Sequence, residues 1–210
     1  MTDNLTQLST DTFLDQLASN APTPGGGGVA ALCGALASAL ASMVANFTVD
    51  KPAYRQHQPL MTELLAELTD LRHELAHCVD KDAQVFTAVT QAYTLPKLTD
   101  EDKQARTTAI QTALRQATLV PFQVMSLCHK GLSLATKAVG TTNPHVITDL
   151  GAAAILFEAA ARASILNVRI NTGMIKDQAF ADTYSQKSKE LLADCQTLSQ
   201  SIQDHVFNQH

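Results

Sequence analysis

The 210-residue chain has no tryptophan, and only 5% of its residues are aromatic. Runs of β-branched residues are scarce too, so a sheet lacks its usual side chains; the Ala- and Leu-rich remainder predicts an all-α protein. Positive charge is in deficit, with 15 Lys and Arg against 20 Asp and Glu for a net charge of -5 at pH 7. This removes any general attraction to nucleic acid or an anionic membrane, so neither is expected as a partner. The start, Met1-Thr2-Asp3-Asn4-Leu5, lacks both a basic segment and an apolar signal core, which predicts a cytoplasmic protein. Cys33, Cys78, Cys128 and Cys195 are scattered with no CxxC pair, the pattern of reduced, mostly buried thiols.

Several catalytic motifs are missing as well. Gly26, Gly28 and Ala31 fall on G-x-G-x-x-A, but no strand precedes them as a dinucleotide site requires. No Gly-Lys-Ser or Gly-Lys-Thr follows the glycines, which excludes a Walker loop. His73-Glu74-Leu75-Ala76-His77 matches the H-E-x-x-H zinc pattern, yet no third ligand follows, and Ala83 stands where the extended motif needs its last histidine. A solvated helix face is the expected role of that segment, with no metal. Nothing singles out a Cys–His or Ser–His pair for nucleophilic catalysis.

What is present begins at Gly25-Gly26-Gly27-Gly28, which opens a stretch without charge that reaches Val49. Glycines at a helix entrance leave backbone N–H groups uncovered, open to a ligand or another chain. Helical spacing places Leu32, Leu36, Leu40, Met43 and Phe47 on one side, expected to face the core. Gly34, Ser38, Ser42 and Asn46 fall opposite, suited to lie beneath a cleft or, more simply, to allow close helix packing. Length alone permits a membrane span, but Ala, Ser, Gly and Asn match hydrocarbon poorly.

The rest reads as one domain, residues 1–210, a bundle of long helices. A first helix is predicted over Ser9–Ser19 with Phe13, Leu14 and Leu17 inward and Thr10 or Asp11 near its start. The glycine-led helix runs to about Thr48, where Asp50-Lys51-Pro52 breaks it. A long helix follows over Pro59–Tyr93, its periodic apolar residues including Leu64, Leu71, Leu75, Val79, Val85, Phe86 and Val89. Another runs from Thr99 toward Gly140, with a kink expected at Pro121. Asn143-Pro144 predicts an N-cap and first position for a helix ending at Gly173, and a last helix spans Asp177–Val206. Asp80 and Asp82 lie mid-helix; by spacing alone both read as solvent-facing, although the narrow polar sector around Asp82 would also suit a cleft.

Taken together, Ala21-Pro22-Thr23-Pro24 with the four glycines, Ala41-Ser42-Met43-Val44-Ala45-Asn46, Asp82-Ala83-Gln84-Val85-Phe86, Leu95-Pro96-Lys97, Thr148-Asp149-Leu150 and Asn167-Val168-Arg169-Ile170-Asn171 resemble the cyclodeaminase/cyclohydrolase family of folate enzymes. The order and spacing match over nearly the whole chain. The resemblance implies a helical homodimer that hydrolyses methenyltetrahydrofolate to the 10-formyl compound, or closes formiminotetrahydrofolate with loss of ammonia. A tetrahydrofolate derivative is the substrate and no cofactor is needed. A catalytically silent helical dimer that binds a small ligand or protein is the alternative of another class. The resemblance makes Asp82 the proton donor and acceptor. Gly26, Gly27, Gly28, Ser38, Ser42, Tyr54, Asp149, Asn167 and Asn171 become candidate substrate contacts, and Lys51, Lys97 and Arg169 candidate cations for the glutamate tail. Two departures stand out: Gly28 occupies a position where the family often has serine, and the basic and aromatic segment after the glycine helix is reduced to Lys51-Pro52-Ala53-Tyr54.

Overall fold

The computed structural model describes residues 4–208, which form six α-helices; no strand occurs among the described residues. They are α1 (Thr10–Ala18), α2 (Gly26–Asn46), α3 (Gln58–Thr94), α4 (Asp100–Ala138), α5 (Ile147–Thr172) and α6 (Gln178–Phe207), with short 3₁₀ turns at Leu5–Gln7, Pro52–His57 and Pro144–Val146. α2 packs between α3 and α5, α4 closes the other side of that pair, and α6 covers α4 and α5.

Local chemistry sets the helix ends. Ser9, rather than Thr10 or Asp11, caps α1, its Oγ accepting from the Thr12 amide. Thr99 and Asp102 form a reciprocal capping box at the start of α4. Asn143 caps only the 3₁₀ turn Pro144–Val146, and α5 begins at Ile147 without a side-chain cap, three residues later than the Asn-Pro signal suggested. Asp177 caps α6. Pro121 lies inside an α4 that continues to Ala138.

The small row of α2 packs closely, the simpler of its two expected roles, but the leucine stripe is not the fully buried face its spacing predicts. Gly34 and Ser38 are buried with Ala31, Ala37 and Ala41, whereas Leu36 is 57% and Phe47 49% exposed. Crowding explains this: α2 touches α3, α4 and α5, and only small side chains let three neighbours come so close. A Cβ at Gly34 would lie 3.0 Å from Leu75 and 3.2 Å from the Cys128 sulfur. Leu36 and Phe47 therefore take the outward side, while Leu32 and Leu40 stay half-buried against the core. In α1, Phe13 is buried as expected, but Leu14 is exposed.

The main core joins Leu64, Leu68, Leu71, Leu75 and Val79 of α3 to Met125 and Leu132 of α4 and Phe157 of α5. Phe157 rests on Gly131, where a Cβ would come within 2.4 Å of the ring. All four cysteines are free; burial pushes the Cys78 thiol up to about 11 and Cys195 to about 12, so these groups stay protonated and unreactive. By length and composition α2 is apolar enough to cross a membrane, with a mean hydropathy of 1.9, but here it is the central helix of the bundle. A second, smaller cluster of Ala92, Ile110, Leu114, Ile175 and Ala181 closes the end of the bundle where α3 finishes and α6 begins.

Candidate active site

The start of α2 is uncapped. Gly25 is its N-cap residue and offers no side chain, so the first amides of the helix have no partner of their own. The loop ahead of it is fixed from α1, where the Gln16 amide donates to the Thr23 carbonyl at 2.9 Å. α3 crosses this end and brings Asp82 to it. The carboxylate occupies the space a side chain at position 27 would fill: a Cβ on Gly27 would lie 2.1 Å from Oδ1 and 2.8 Å from Oδ2. The Gly28 amide lies close enough to favour the charged form of the Asp82 carboxylate. The positive end of the α2 dipole favours the same charge.

Burial opposes it. Desolvation pushes the Asp82 carboxyl above the usual carboxylate range, and the Gly28 amide pulls it back only in part. A carboxylate raised in this way takes up a proton more readily than a solvated one, as a group that removes and returns protons must. Its neighbour by sequence, Asp80, does different work: Oδ1 accepts from the Leu5 amide at 2.7 Å and ties the N-terminal turn to α3.

Asp82 opens into a cavity of about 280 Å³. Two helical stripes line it. Asp82, Val85, Phe86 and Val89 of α3 have the spacing i, i+3, i+4, i+7, and so do Asn167, Ile170 and Asn171 of α5 with Met174 in the turn just after it. Pro22, Thr23, Gly25, Gly26 and Gly27 form the third wall and Ala117 of α4 the fourth. The wall is apolar around a few polar groups, the composition of a small-molecule site. Phe86, Ile170 and Met174 stay partly exposed at its rim.

Five of the residues expected at the site meet in this cavity: Gly26, Gly27, Asp82, Asn167 and Asn171. Gly28 lies beside it, touching Asp82 without lining the space. The others lie elsewhere. Ser38 is fully buried and donates to the Leu68 carbonyl at 2.7 Å, and Ser42 donates to the Ser38 carbonyl at 2.8 Å, so both hydroxyls are consumed by helix packing. Lys51 and Tyr54 belong to the other end of α2, which is about 30 Å long. There Lys51 joins Asp50, Pro52, Arg55 and Gln58 around an open depression, and the Tyr54 hydroxyl donates to Asn143 at 3.4 Å. Lys97 is exposed between α3 and α4, and Asp149 sits in the first turn of α5. Arg169 is exposed and two positions from each asparagine, hence on a different side of α5.

Val85, Phe86 and Val89 were expected in the core because their period is helical; they line the cavity instead. The signal that marks them is their register with Asp82. Ile170 and Met174 carry the same signal relative to Asn167. His73, Glu74 and His77 are exposed on α3, and no group of three His, Cys, Asp or Glu able to hold a metal occurs among the described residues.

A helical bundle with one half-buried carboxylate at an open helix start and a mostly apolar cavity before it makes a candidate acid–base site for a small molecule. The formiminotransferase-cyclodeaminase family matches residues 9–190, and the chain belongs to it. It is 41% identical over 196 residues to a methenyltetrahydrofolate cyclohydrolase of Methylorubrum extorquens, covering 93% of this chain and 94% of that one. It is also 30% identical to the formimidoyltransferase-cyclodeaminase of Rattus norvegicus over 92% of this chain, and that match spans 36% of the longer relative. Among solved structures, formiminotetrahydrofolate cyclodeaminase from Thermotoga maritima superimposes with a TM-score of 0.87 at 30% identity, over 96% of this chain and 97% of that one.

Proposed function

We propose that this chain hydrolyses 5,10-methenyltetrahydrofolate to 10-formyltetrahydrofolate, with Asp82 as the group that moves the proton. The observation that carries the reading is the placement of the Asp82 carboxylate, raised by burial and set against Gly27 and Gly28 at the mouth of the cavity. The likeness to the Methylorubrum extorquens cyclohydrolase over nearly the full length of both chains supports the choice of reaction.

The substrate's reacting carbon lies in a cationic N–CH=N unit. An adjacent carboxylate stabilises that cation and takes a proton from water as its oxygen bonds to the carbon. The same group then returns the proton to the departing ring nitrogen, leaving the carbon as a formyl group on the other nitrogen. Water is the only co-reactant, and the reaction releases the proton that balances the loss of the cationic charge. Acid–base assistance of this kind contributes about 10²–10⁴ in rate. At about 280 Å³ the cavity falls just below the ~300–1,000 Å³ typical of ligand pockets. That size suits the fused ring end of a folate, with the glutamate tail outside it.

The reading takes the protein as a cytoplasmic homodimer that needs no cofactor. Apolar side chains left on α2 and α5, among them Leu36, Ile155, Leu166 and Ile170, support the dimer, since solvent exposure of all four is costly for an isolated chain. Cyclodeaminase activity is the second reading, favoured by the likeness to the Thermotoga maritima enzyme; there Asp82 would protonate the departing amine. Purified protein offered methenyl- and formiminotetrahydrofolate, with loss of methenyl absorbance and release of ammonia followed separately, distinguishes the two. Hydrolysis of the methenyl compound is expected. Turnover of neither substrate overturns both readings.

A further inference from the structure

Proline at position 121 of α4 has no amide hydrogen, so the carbonyl of Ala117, one turn back, lacks its regular helical donor. That carbonyl is nonetheless satisfied. Nδ2 of Asn171 reaches across from α5 and donates to it at 2.7 Å. Ala117 and Asn171 both line the cavity, whereas Pro121 is buried behind it. A backbone defect in one helix thus fixes the orientation of a cavity side chain on another.

Asn167, one turn earlier on α5, is oriented in a similar way: its Nδ2 donates to the Ala163 carbonyl at 3.3 Å. With one hydrogen of each amide held by the main chain the two carboxamides are fixed, and neither Oδ1 accepts a hydrogen bond among the described residues. Together with the Asp82 carboxylate they place three side-chain acceptor groups in the lining, alongside the Thr23 hydroxyl. Acceptors so placed favour a ligand edge that carries N–H donors, because a buried acceptor left unpaired is costly.

We infer that Pro121 and Asn171 form a positioning pair: the carbonyl freed by the proline holds the Asn171 carboxamide so that its oxygen receives an N–H donor of the substrate's ring. The inference rests on the tetrahydrofolate reading, whose reduced ring system carries an amino group and ring N–H groups. Asn171 is the contact and Pro121 acts through it.

The test compares steady-state kinetics on methenyltetrahydrofolate for the full chain, Pro121→Ala, Asn171→Leu and the double variant, with urea unfolding of each. Asn171→Ala, which only truncates, replaces the leucine variant if that one does not fold. Loss of the Asn171 contact is expected to raise KM by ~10-fold, the size of one hydrogen bond, with kcat within about twofold. Pro121→Ala restores a main-chain donor to Ala117, competes with Asn171, and raises KM several-fold although the residue never meets the ligand. The double variant then has the KM of the Asn171 variant alone, and the stability lost on removing Asn171 is smaller in the Pro121→Ala background. A KM for folded Pro121→Ala equal to that of the unmodified protein, or two KM effects that multiply, overturns the inference. A merely structural pair would lower stability and leave KM unmoved. Inactivity of the unmodified protein on both folates is a different result: it removes the functional reading and, with it, the ligand assigned to Asn171.

Discussion

The two ends of α2 are built from opposite chemistry. At its start, Gly25 to Gly28 provide no side chain, the amides stay open, and the group that meets them comes from another helix. At its finish every polar group is absorbed locally. Thr48 donates to the Val44 carbonyl at 2.9 Å and accepts from the Asn143 amide at 3.0 Å, Asn46 donates to the Ser42 carbonyl, and Asn143 donates to the Phe47 carbonyl. The difference teaches where a helix can work on a ligand. Side-chain hydroxyls and amides on α2 look suited to binding but are consumed by packing; the end with no side chains is the one left available.

The largest effect that can break this comparison is the loss of Asp82. Asp82→Asn keeps an acceptor for the Gly28 amide but cannot exchange a proton, and kcat is expected to fall by about 10²–10⁴. Its effect on stability has the other sign. A carboxyl whose folded pKa is raised contributes stability that is present below the unfolded pKa and lost as pH rises through the folded value. Near neutral pH the native protein has lost that contribution, so Asp82→Asn unfolds at higher urea, and the gap closes as pH is lowered below the ordinary carboxylate range. For the same reason kcat of the unmodified protein should fall on acidification at a pH above that of a solvated aspartate. Less stable Asp82→Asn at neutral pH would show that the carboxylate is a structural charge.

A smaller loss follows from placing a methyl group on the glycine end. Gly27→Ala puts its Cβ onto the Asp82 oxygens and forces the carboxylate away, whereas Gly26→Ala meets nothing within 4 Å. The first is expected to cost about 10–100-fold in kcat/KM through displacement of the proton-transfer group, and the second under about threefold. Equal effects of the two in parallel assays would show that glycine serves only the approach of the ligand. At the other end the currency is stability: Thr48→Val leaves the Asn143 amide without its acceptor in a buried site and should cost about 1–3 kcal/mol in urea unfolding, with kcat unchanged.

How much of this was legible follows from the same contrast. Helix ends marked by chain chemistry, such as the Thr99 capping box, Gly173 and Asp177, can be read from neighbouring residues because the forces are local. The outward face of α2 cannot be read this way. Its leucine stripe has the spacing of a core face, and only the number of helices packed around α2 turns Leu36 and Phe47 outward. The cavity falls between these cases. Asp82 carries apolar partners at i+3, i+4 and i+7, and Asn167 carries them at i+3 and i+7 with Asn171 at i+4, patterns hard to tell in one helix from a core edge; they become a site only when α3 and α5 set the two stripes against each other across the glycines. The bond from Asn171 to Ala117 was hidden altogether, since it links residues 54 apart and has its cause in a third, Pro121.

The smallest effect sharpens the comparison most, because it concerns the position at the open end where a side chain fits in ordinary contact with Asp82. A Cβ at Gly28 would lie 3.6 Å from the Val79 carbonyl and 3.8 Å from the Asp82 Oδ2, ordinary contact distances, and this glycine does not have a positive φ. Gly28→Ser is therefore accommodated without displacing the carboxylate, and its hydroxyl can donate to Asp82. A new donor favours the charged form and lowers the raised pKa. The acidic limb of the kcat profile should shift to lower pH while kcat at neutral pH changes by less than about threefold, the size of a fraction of one hydrogen bond. Gly28→Ala, which adds the carbon without the hydroxyl, should leave that limb in place or move it up through added desolvation. If alanine and serine shift it together, position 28 acts through volume, and the open start of α2 is defined by Gly27 alone.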